Sequence, residues 1–592
     1  MRIRPAAGRP SSDASASQPA GPGDAAAGNG GGGGSVAAGE AGAVGTAPDS
    51  GTAQGNGAED RASGPVPPGH RRPAREQWQS WGRDGLKLLA RFPGLVRVHW
   101  LASILIAAGI VLRALAQMAY HPAIIYIDTL KYLYDSWPGS DPVGYKIPLK
   151  LILLVGDLGT VEFIQHLLGI AVAIALYVTM VRRGVPRWLG ALAIAPVLLD
   201  AYQINVEAMI MPDIWFEALV VAGIVVLLWQ RTLTVRMGLV GGALLGASVG
   251  IRQVGEILIV PALILVVALG GGWRKVLQNA TAVFCAFALA VLFYLSADYQ
   301  LAGHFFISRS SVSLTYGRMA YAADCATLRL PKLERPLCPT KAQQAMGPDK
   351  LDHSVLSPLR RYETQLTGTQ LNSGNQLVSK FNRAVETQQP LRVLSGILHD
   401  SIKLFALTRY TSPGDTPIVR WQFQRHYPTV GYGPWISVRN GRIWLKLGSL
   451  TNFKMTELNL AYGGPAQVDK PLAAFLRSYQ VHGGFTPGPV FLVSLLAGLA
   501  GAVIAFLRRR RFAPARQAAL ACLLFFGAGV FILGVSDLFE FTWRYQIPAL
   551  VTLPPAGALG ITAILLSLRR PREPVRADAV PGRAPEMAAP AP

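Results

Sequence analysis

The chain has 592 residues, of which 51% are hydrophobic and only 15% charged, and basic residues exceed acidic ones by 22. Soluble domains carry roughly 25% charged residues. The composition therefore excludes a coiled coil, a disulfide scaffold and a disordered chain, and it argues against a soluble nucleic-acid-binding protein despite the basic charge.

The N-terminal residues 1–75 consist mainly of Gly, Ala, Ser and Pro. Such a segment has too little apolar surface to offset the entropy of ordering, so we expect a disordered cytoplasmic tail. It lacks the hydrophobic stretch of a signal peptide. Residues 76–98 mix basic with apolar side chains and predict an interfacial helix that leads into the membrane.

Apolar segments long enough to cross a bilayer follow in two groups, seven within residues 76–297 and three within residues 487–568. The segment at 236–251 is short and rich in glycine, which predicts close helix packing. The ten predicted spans lie at about 99–119, 161–181, 187–205, 211–230, 236–251, 253–271, 275–296, 488–507, 517–535 and 545–568.

The distribution of basic residues predicts the orientation of these spans. If the N-terminus is inside, every inside connection is basic, from Arg182 and Arg183 to the arginines of the tail 569–592. The outside connections are acidic instead. By the positive-inside rule we expect a multi-pass plasma-membrane protein with both termini in the cytoplasm.

Residues 298–486, between spans seven and eight, are too numerous for a structureless loop and predict an extracytoplasmic domain. Apolar residues at helical spacing around 377–405, and an aromatic-rich stretch at 421–444, predict a mixed and mostly helical domain. Cys325 and Cys338 lie within it, where a disulfide is permitted. The predicted fold class is thus an all-α polytopic membrane protein carrying this domain.

Ionisable side chains near the predicted outer ends of the spans are the candidate site, because such groups are costly at membrane depth. Asp128 and Tyr132 are four residues apart and would share one helix face. Glu207 and Asp213 flank the start of span four. The structural alternative is that Asp128 caps a short helix and that Asp213 follows Pro212 at a helix start.

Three arginines lie on the same predicted side: Arg113 in span one, Arg252 between spans five and six, and Arg544 before span ten. The positive-inside rule does not explain their place. A guanidinium group binds phosphate with a planar pair of donors, or it extends to lipid phosphate instead. Arg113 could also pair with a carboxylate, and these interpretations stay open for the three residues.

Carboxylates beside arginines suit glycosyl transfer from a lipid phosphate. One carboxylate acts as general base on the acceptor hydroxyl, and cationic side chains stabilise the departing phosphate. The sequence lacks the P-loop or nucleophile elbow of other transferases. A transporter would place its charges nearer the bilayer midplane.

The sequence also resembles the GT-C superfamily of polyprenyl-phosphate-dependent membrane glycosyltransferases over about residues 95–570. Within it, the chain is similar to the actinobacterial branch related to protein O-mannosyltransferases and the lipid A aminoarabinose transferase. The pieces that carry the resemblance are Asp128 with Tyr132, Gln165-His166-Leu167-Leu168-Gly169, Glu207 with Met211-Pro212-Asp213, Gly250-Ile251-Arg252, Arg544-Tyr545-Gln546-Ile547-Pro548, Ala323-Asp324-Cys325, Leu337-Cys338-Pro339 and Gln389-Pro390-Leu391.

The resemblance implies that Asp128 is the catalytic base, that Asp213 and Glu207 line the site, and that Arg252 and Arg544 meet the donor phosphate. Several relatives have an acidic pair in the first loop, whereas Thr129 follows Asp128 here, so Asp135 is the alternative base. Some members of the superfamily bind a divalent cation and others do not, and a metal is left open.

The hypothesis from the sequence is an integral-membrane glycosyltransferase with an extracytoplasmic active site. It would move a sugar from a polyprenyl phosphate to a cell-envelope glycan, lipid or secreted protein, with membrane lipids and no nucleic acid as partners. The alternatives are a lipid-linked glycan polymerase or ligase and a non-enzymatic glycan transporter.

Overall fold

The protein is mostly helical and passes through the membrane several times. The computed structural model describes residues 93–134, 142–302, 305, 307–308, 311–360, 369–427, 430–432, 436–439, 442–446, 453–457, 462–507 and 513–568. The predicted tails 1–75 and 569–592, and most of the predicted interfacial helix, lie outside the described residues. Residues 93–98 of that helix are helical and lead towards the first long helix.

In the described part of the chain from residue 100 onward, ten α-helices precede the 298–486 segment or run into it. One short strand, β1 (Tyr120–His121), follows the first helix. The helices are α1 (Trp100–Ala119), α2 (Ile127–Tyr134), α3 (Lys146–Leu153), α4 (Leu158–Arg182), α5 (Arg187–Leu199), α6 (Ala201–Ala208), α7 (Asp213–Leu227), α8 (Val235–Ile251), α9 (Ile259–Leu269) and α10 (Trp273–Ala302).

The 298–486 segment, called the inserted segment below, contains helices and short strands, and three membrane helices follow it. Strands β2 to β5 form an antiparallel sheet in chain order, and β6 pairs with β1. The elements are α11 (Ser311–Ala322), α12 (Lys341–Gln344), α13 (Pro348–His353), α14 (Thr369–Gln388), α15 (Pro390–Ile402), β2 (Val430–Tyr432), β3 (Ile436–Arg439), β4 (Arg442–Lys446), β5 (Phe453–Glu457), β6 (Gln467–Val468), α16 (Lys470–Val481), α17 (Gly488–Leu507), α18 (Ala513–Phe539) and α19 (Pro548–Leu568).

Six helices in the described part of the chain are long and apolar enough to cross a membrane: α1, α4, α10, α17, α18 and α19. The pair α5 and α6, bent by 47°, brings the number to seven if it forms one broken span. The remaining predicted spans correspond to shorter helices. The 15 residues of α7, at 1.5 Å rise per residue, extend about 22 Å, less than a hydrocarbon core of roughly 30 Å.

Glycines on α8 let it pack closely against α10, as the sequence predicted. A Cβ on Gly242 would collide with the carbonyl group of Val283, and one on Gly246 with the carbonyl group of Phe287. Small residues allow two backbones to approach in this way, and the close contact supplies the van der Waals energy that associates helices in lipid. The glycines therefore fix the distance between these two helices.

The inserted segment has a hydrophobic core of its own, to which α11, α13, α14 and α15 contribute. Cys325 and Cys338 form a disulfide beside this core, with their Cα atoms 5.9 Å apart. The predicted aromatic-rich stretch contains β2, β3 and the start of β4. The segment is therefore a structured insertion between two sets of membrane helices.

Candidate active site

Two loops that carry carboxylates are joined by backbone hydrogen bonds. The amide of Ile124 donates to the carbonyl of Ala208 over 3.1 Å, and the amide of Ile210 donates to the carbonyl of Ile124 over 3.2 Å. One loop leads into α2 and the other into α7. Asp128, in the first turn of α2, and Asp213, in the first turn of α7, are thus brought to the same part of the molecule.

Thr129 holds the start of α2 against the second loop. Its hydroxyl accepts a hydrogen bond from the amide of Tyr126 at 3.0 Å and donates to the carbonyl of Ile210 at 3.1 Å. Thr129 is completely buried, and an unpaired polar group there would be costly. The residue that replaces an expected second carboxylate thus helps to orient Asp128.

Arg252 reaches the site from the end of α8, where a short 3-10 helix begins at Gln253. The amide of Gly144 donates to the carbonyl of Gly250 over 2.8 Å. A Cβ on Gly144 would collide with that carbonyl group, so glycine is required for this approach. The contact holds the segment before α3 against the end of α8.

Arg544 lies at the centre of the site. Its Nη1 donates to Oδ2 of Asp128 at 2.7 Å, its Nη2 donates to Oδ2 of Asp213 at 2.9 Å, and its Nε donates to Oδ1 of Asp213 at 3.1 Å. Arg252 also forms an ion pair with Oδ1 of Asp213. These four residues, which come from four separate segments, are called the central cluster below.

The central cluster is buried unevenly. The side chains of Asp213 and Arg544 are 3% and 8% exposed, whereas those of Asp128 and Arg252 are 19% and 15% exposed. Asp213 and Arg544 therefore form the inner part of the cluster, and Asp128 and Arg252 offer the atoms that a ligand can reach.

The charge state of Asp128 is set by its neighbours. Burial by itself raises the pKa of this carboxyl, but Lys131 and Arg544 outweigh burial and hold the pKa below its ordinary value. Lys131 Nζ lies 3.2 Å from Oδ1 of Asp128. Asp128 is thus ionised, with Oδ1 near Lys131 and Oδ2 on Arg544.

Aromatic rings surround the two arginines. The Cζ atom of Arg544 lies 5.4 Å from the ring centre of Trp421, and that of Arg252 lies 5.0 Å from the ring centre of Tyr545. The ring centres of Trp421 and Tyr126 are 5.1 Å apart. Such rings attract cations through their faces, and flat apolar surfaces next to charged groups are typical of ligand sites.

Glu207 and Arg113, which sequence reasoning grouped with Asp213, form a separate pair. Nε and Nη2 of Arg113 donate to the two carboxylate oxygens of Glu207, each over 2.7 Å. The remaining N–H groups of Arg113 donate to the carbonyl oxygens of Gly109, Leu198 and Val197. The two side chains are 3% and 0% exposed, so neither is open to a ligand.

Further polar groups tie this pair to the rest of the helical core. His166 Nδ1 lies 3.0 Å from Oε2 of Glu207. The side-chain amide of Gln203 donates to Glu207 at 3.1 Å and to Glu217 of α7 at 2.9 Å. The carboxylate of Glu207 neutralises and orients Arg113 between α1, α4 and α6, which is the pairing with a carboxylate that the sequence left open for Arg113.

Tyr132, the other predicted site residue of α2, is 5% exposed. Its ring packs edge-on against Tyr145, with ring centres 5.0 Å apart, and the hydroxyl of Tyr145 donates to Gln165 at 2.8 Å. Asp135, the alternative base, lies outside the described residues.

Sequence reasoning missed the residues that the inserted segment contributes. Trp421 is one of them, and its indole N–H donates to Thr542 at 2.9 Å, next to Arg544. His353 and Asp349 of α13 lie close enough to Glu540, four residues before Arg544 in the sequence, to influence the charge of its carboxyl. The aromatic content of the stretch at 421–444 was the available signal for Trp421, whereas α13 carries no pattern that points to this site.

A metal site was left open by the sequence. Within the part of the chain that the structure describes, no group of three or more His, Cys, Asp or Glu side chains is arranged to hold a metal ion.

Comparisons of the chain with protein-family models, with curated proteins and with solved structures found no match.

Proposed function

We propose that this chain is an integral-membrane glycosyltransferase of the GT-C kind that uses a polyprenyl-phosphate sugar. The observation that carries the proposal is the central cluster: Asp128, Asp213, Arg252 and Arg544 converge from four segments at the ends of apolar helices. The acceptor would be a cell-envelope glycan, lipid or secreted protein.

In this proposal the two arginines bind the phosphate of the lipid donor. Arg252 is the more exposed and is reached first, and Arg544 follows with its planar group of donors. As the bond between the sugar C1 and the phosphate oxygen breaks, both electrons stay with the phosphate. The guanidinium groups stabilise the added negative charge.

Asp128 then serves as the general base. The donor phosphate competes with the Asp128 carboxylate for Nη1 of Arg544, and a carboxylate released from this contact can accept the proton of the acceptor hydroxyl. The acceptor oxygen bonds to C1 from the face opposite the phosphate, so the sugar configuration is inverted.

Asp213 has a different role in the proposal. It pairs with both arginines and is almost fully buried, so it holds the two guanidinium groups at a fixed separation. Preorganised charge of this kind lowers the cost of rearrangement during the reaction.

We also propose that the chain crosses the membrane ten times. Four further spans would complete the ten: the bent pair α5–α6, α7, α8, and α9 together with the 3-10 helix before it. The close packing of α8 on α10 supports this arrangement. Both termini would then be cytoplasmic, and the central cluster and the inserted segment extracytoplasmic.

The test uses the full chain in lipid nanodiscs with a panel of labelled polyprenyl-phosphate hexoses and pentoses and an envelope extract as acceptor. Release of polyprenyl phosphate and transfer of label are both measured. Asp128→Asn is expected to lower turnover by about 10²- to 10⁴-fold, the range typical of a lost general base.

Asp157→Asn is the matched control. Asp157 caps α4 by accepting the amide of Thr160 at 2.8 Å, and Asn caps a helix as well as Asp does, so turnover should stay unchanged. Full turnover in Asp128→Asn would contradict the assignment of the base. Consumption of diphosphate-linked donors alone would indicate a polymerase or ligase, and donor movement without bond cleavage a transporter.

A further inference from the structure

Helix α15 (Pro390–Ile402) of the inserted segment carries an exposed apolar stripe. Its members recur at helical spacing and lie on one face: Leu391 is 77% exposed, Leu394 48%, Leu398 53% and Ile402 66%. The spacing of these apolar residues is the periodicity that predicts a helix from the sequence. In the structure the core of the inserted segment does not cover the stripe.

The opposite face of α15 makes the packing contacts. Val393 belongs to the hydrophobic core of the inserted segment, and the carboxylate of Asp400 forms a buried ion pair with Arg318 of α11. The helix is thus fully anchored through its other face, and its leucine stripe is available for another contact.

The end of α15 is attached to the ends of two membrane helices. Ser401 donates to Oδ2 of Asp537, in the last turn of α18, at 2.6 Å. The amide of Gly488, the first residue of α17, donates to the carbonyl of Ala406 at 3.0 Å. A Cβ on Gly488 would collide with the backbone of Phe405, so the chain leaving α15 lies directly on α17.

Exposed apolar residues also lie on the segment after α15 and on α17. Leu407, the residue after Ala406, is 71% exposed, and the apolar residues Val493 and Leu496 of α17 are 58% and 57% exposed. Because α17 is long and apolar enough to cross a membrane, its exposed apolar side chains are suited to contact with acyl chains. The two attachments place the end of α15 at the start of α17 and at the end of α18, both of which are long and apolar enough to cross a membrane.

We propose that α15 is an interfacial helix whose leucine stripe lies in the lipid bilayer. Its polar neighbours fit that position, since His399 and Arg392 are exposed beside the stripe, although Nε of Arg392 also donates to the carbonyl of Ala322 and its Nη1 lies 3.5 Å from Asp324. An apolar face with basic flanks is typical of helices that lie in the membrane interface. The proposal is independent of the reaction that the protein catalyses.

The test places a single fluorophore on the helix. Cys285, which is exposed, is replaced by alanine, while the buried Cys522 and the Cys325–Cys338 disulfide are kept. An NBD label is attached to a new cysteine in Leu394→Cys or Leu398→Cys of the full chain in nanodiscs of phosphatidylcholine and phosphatidylglycerol. Labelling of the background without the new cysteine is subtracted.

We expect a blue-shifted emission at both positions and quenching by lipids with a doxyl group near the headgroup, at least threefold stronger than at Glu386→Cys. Glu386 is an exposed polar position of the neighbouring helix α14. Emission typical of water, or quenching no stronger than at Glu386→Cys, would overturn the proposal. A blue shift without lipid quenching that falls on dilution would indicate a second copy of the chain and overturn it as well.

Discussion

The folded protein raises the pKa of both Glu540 and His353. Burial, followed by the charge of Asp349, raises the pKa of Glu540 to about 8. Burial lowers the pKa of His353, but hydrogen bonding to Asp349 and the charges of Asp352 and Asp349 outweigh it and raise the pKa to about 9. Both groups therefore bind protons more tightly in the folded protein than in the unfolded chain.

This predicts that stability falls as the pH rises. The Glu540 carboxyl favours the folded state most below the unfolded pKa of 4.5 and loses this contribution as the pH rises to about 8. The contribution of His353 is complete below 6.5 and is lost as the pH rises through about 9. In both intervals the folded state binds more protons, so the slope of unfolding free energy against pH is negative.

Glu540→Gln tests this prediction, because the amide resembles the protonated carboxyl and does not titrate. We expect a flatter dependence of the thermal midpoint on pH between 5 and 8 than in the parent protein, measured in nanodiscs. Glu386→Gln, at an exposed position of α14, should keep the parent slope. An unchanged slope in Glu540→Gln would show that this carboxyl does not titrate as described.

At the scale of elements, the contact between α8 and α10 depends on the absence of side chains. Gly242→Ala would bring a methyl group against the carbonyl of Val283. The two backbones would have to separate, and overpacking of this kind typically costs about 1–3 kcal/mol. We expect a lower thermal midpoint and faster proteolysis of the variant in nanodiscs.

Gly534→Ala in α18 is the matched control, because no atom lies within 4 Å of the added Cβ. Alanine has a higher helix propensity than glycine by up to about 1 kcal/mol, so this variant should be as stable as the parent protein or more stable. Equal losses in both variants would argue against the close contact of α8 with α10.

At the scale of the whole molecule, the orientation proposed for the chain has a direct test. An impermeant thiol reagent added to intact cells after mild reduction is expected to label Cys325 and Cys338. Cys522 is buried and should stay unlabelled under the same conditions. Labelling of Cys325 and Cys338 only after the membrane is permeabilised would invert the orientation, and with it the proposed side of the reaction.

The sequence by itself determined the class of protein and the glycine packing. Apolar segments of about 20 residues match the thickness of a bilayer and so indicate a membrane protein. Glycines repeated along α8 indicate that another helix packs closely against it, without identifying that helix. The acidic and basic residues of the central cluster were also found from the sequence, because charges next to apolar spans stand out individually.

Only the tertiary structure decided which of these charges act together. Glu207 and Asp213 are six residues apart in the sequence, yet Glu207 pairs with Arg113 and Asp213 with Arg252 and Arg544. The direction of each side chain depends on how α6 and α7 pack, which no local pattern specifies. Likewise, periodicity predicts that α15 is a helix, but its packing against α11 and α18 leaves the leucine stripe outside the core.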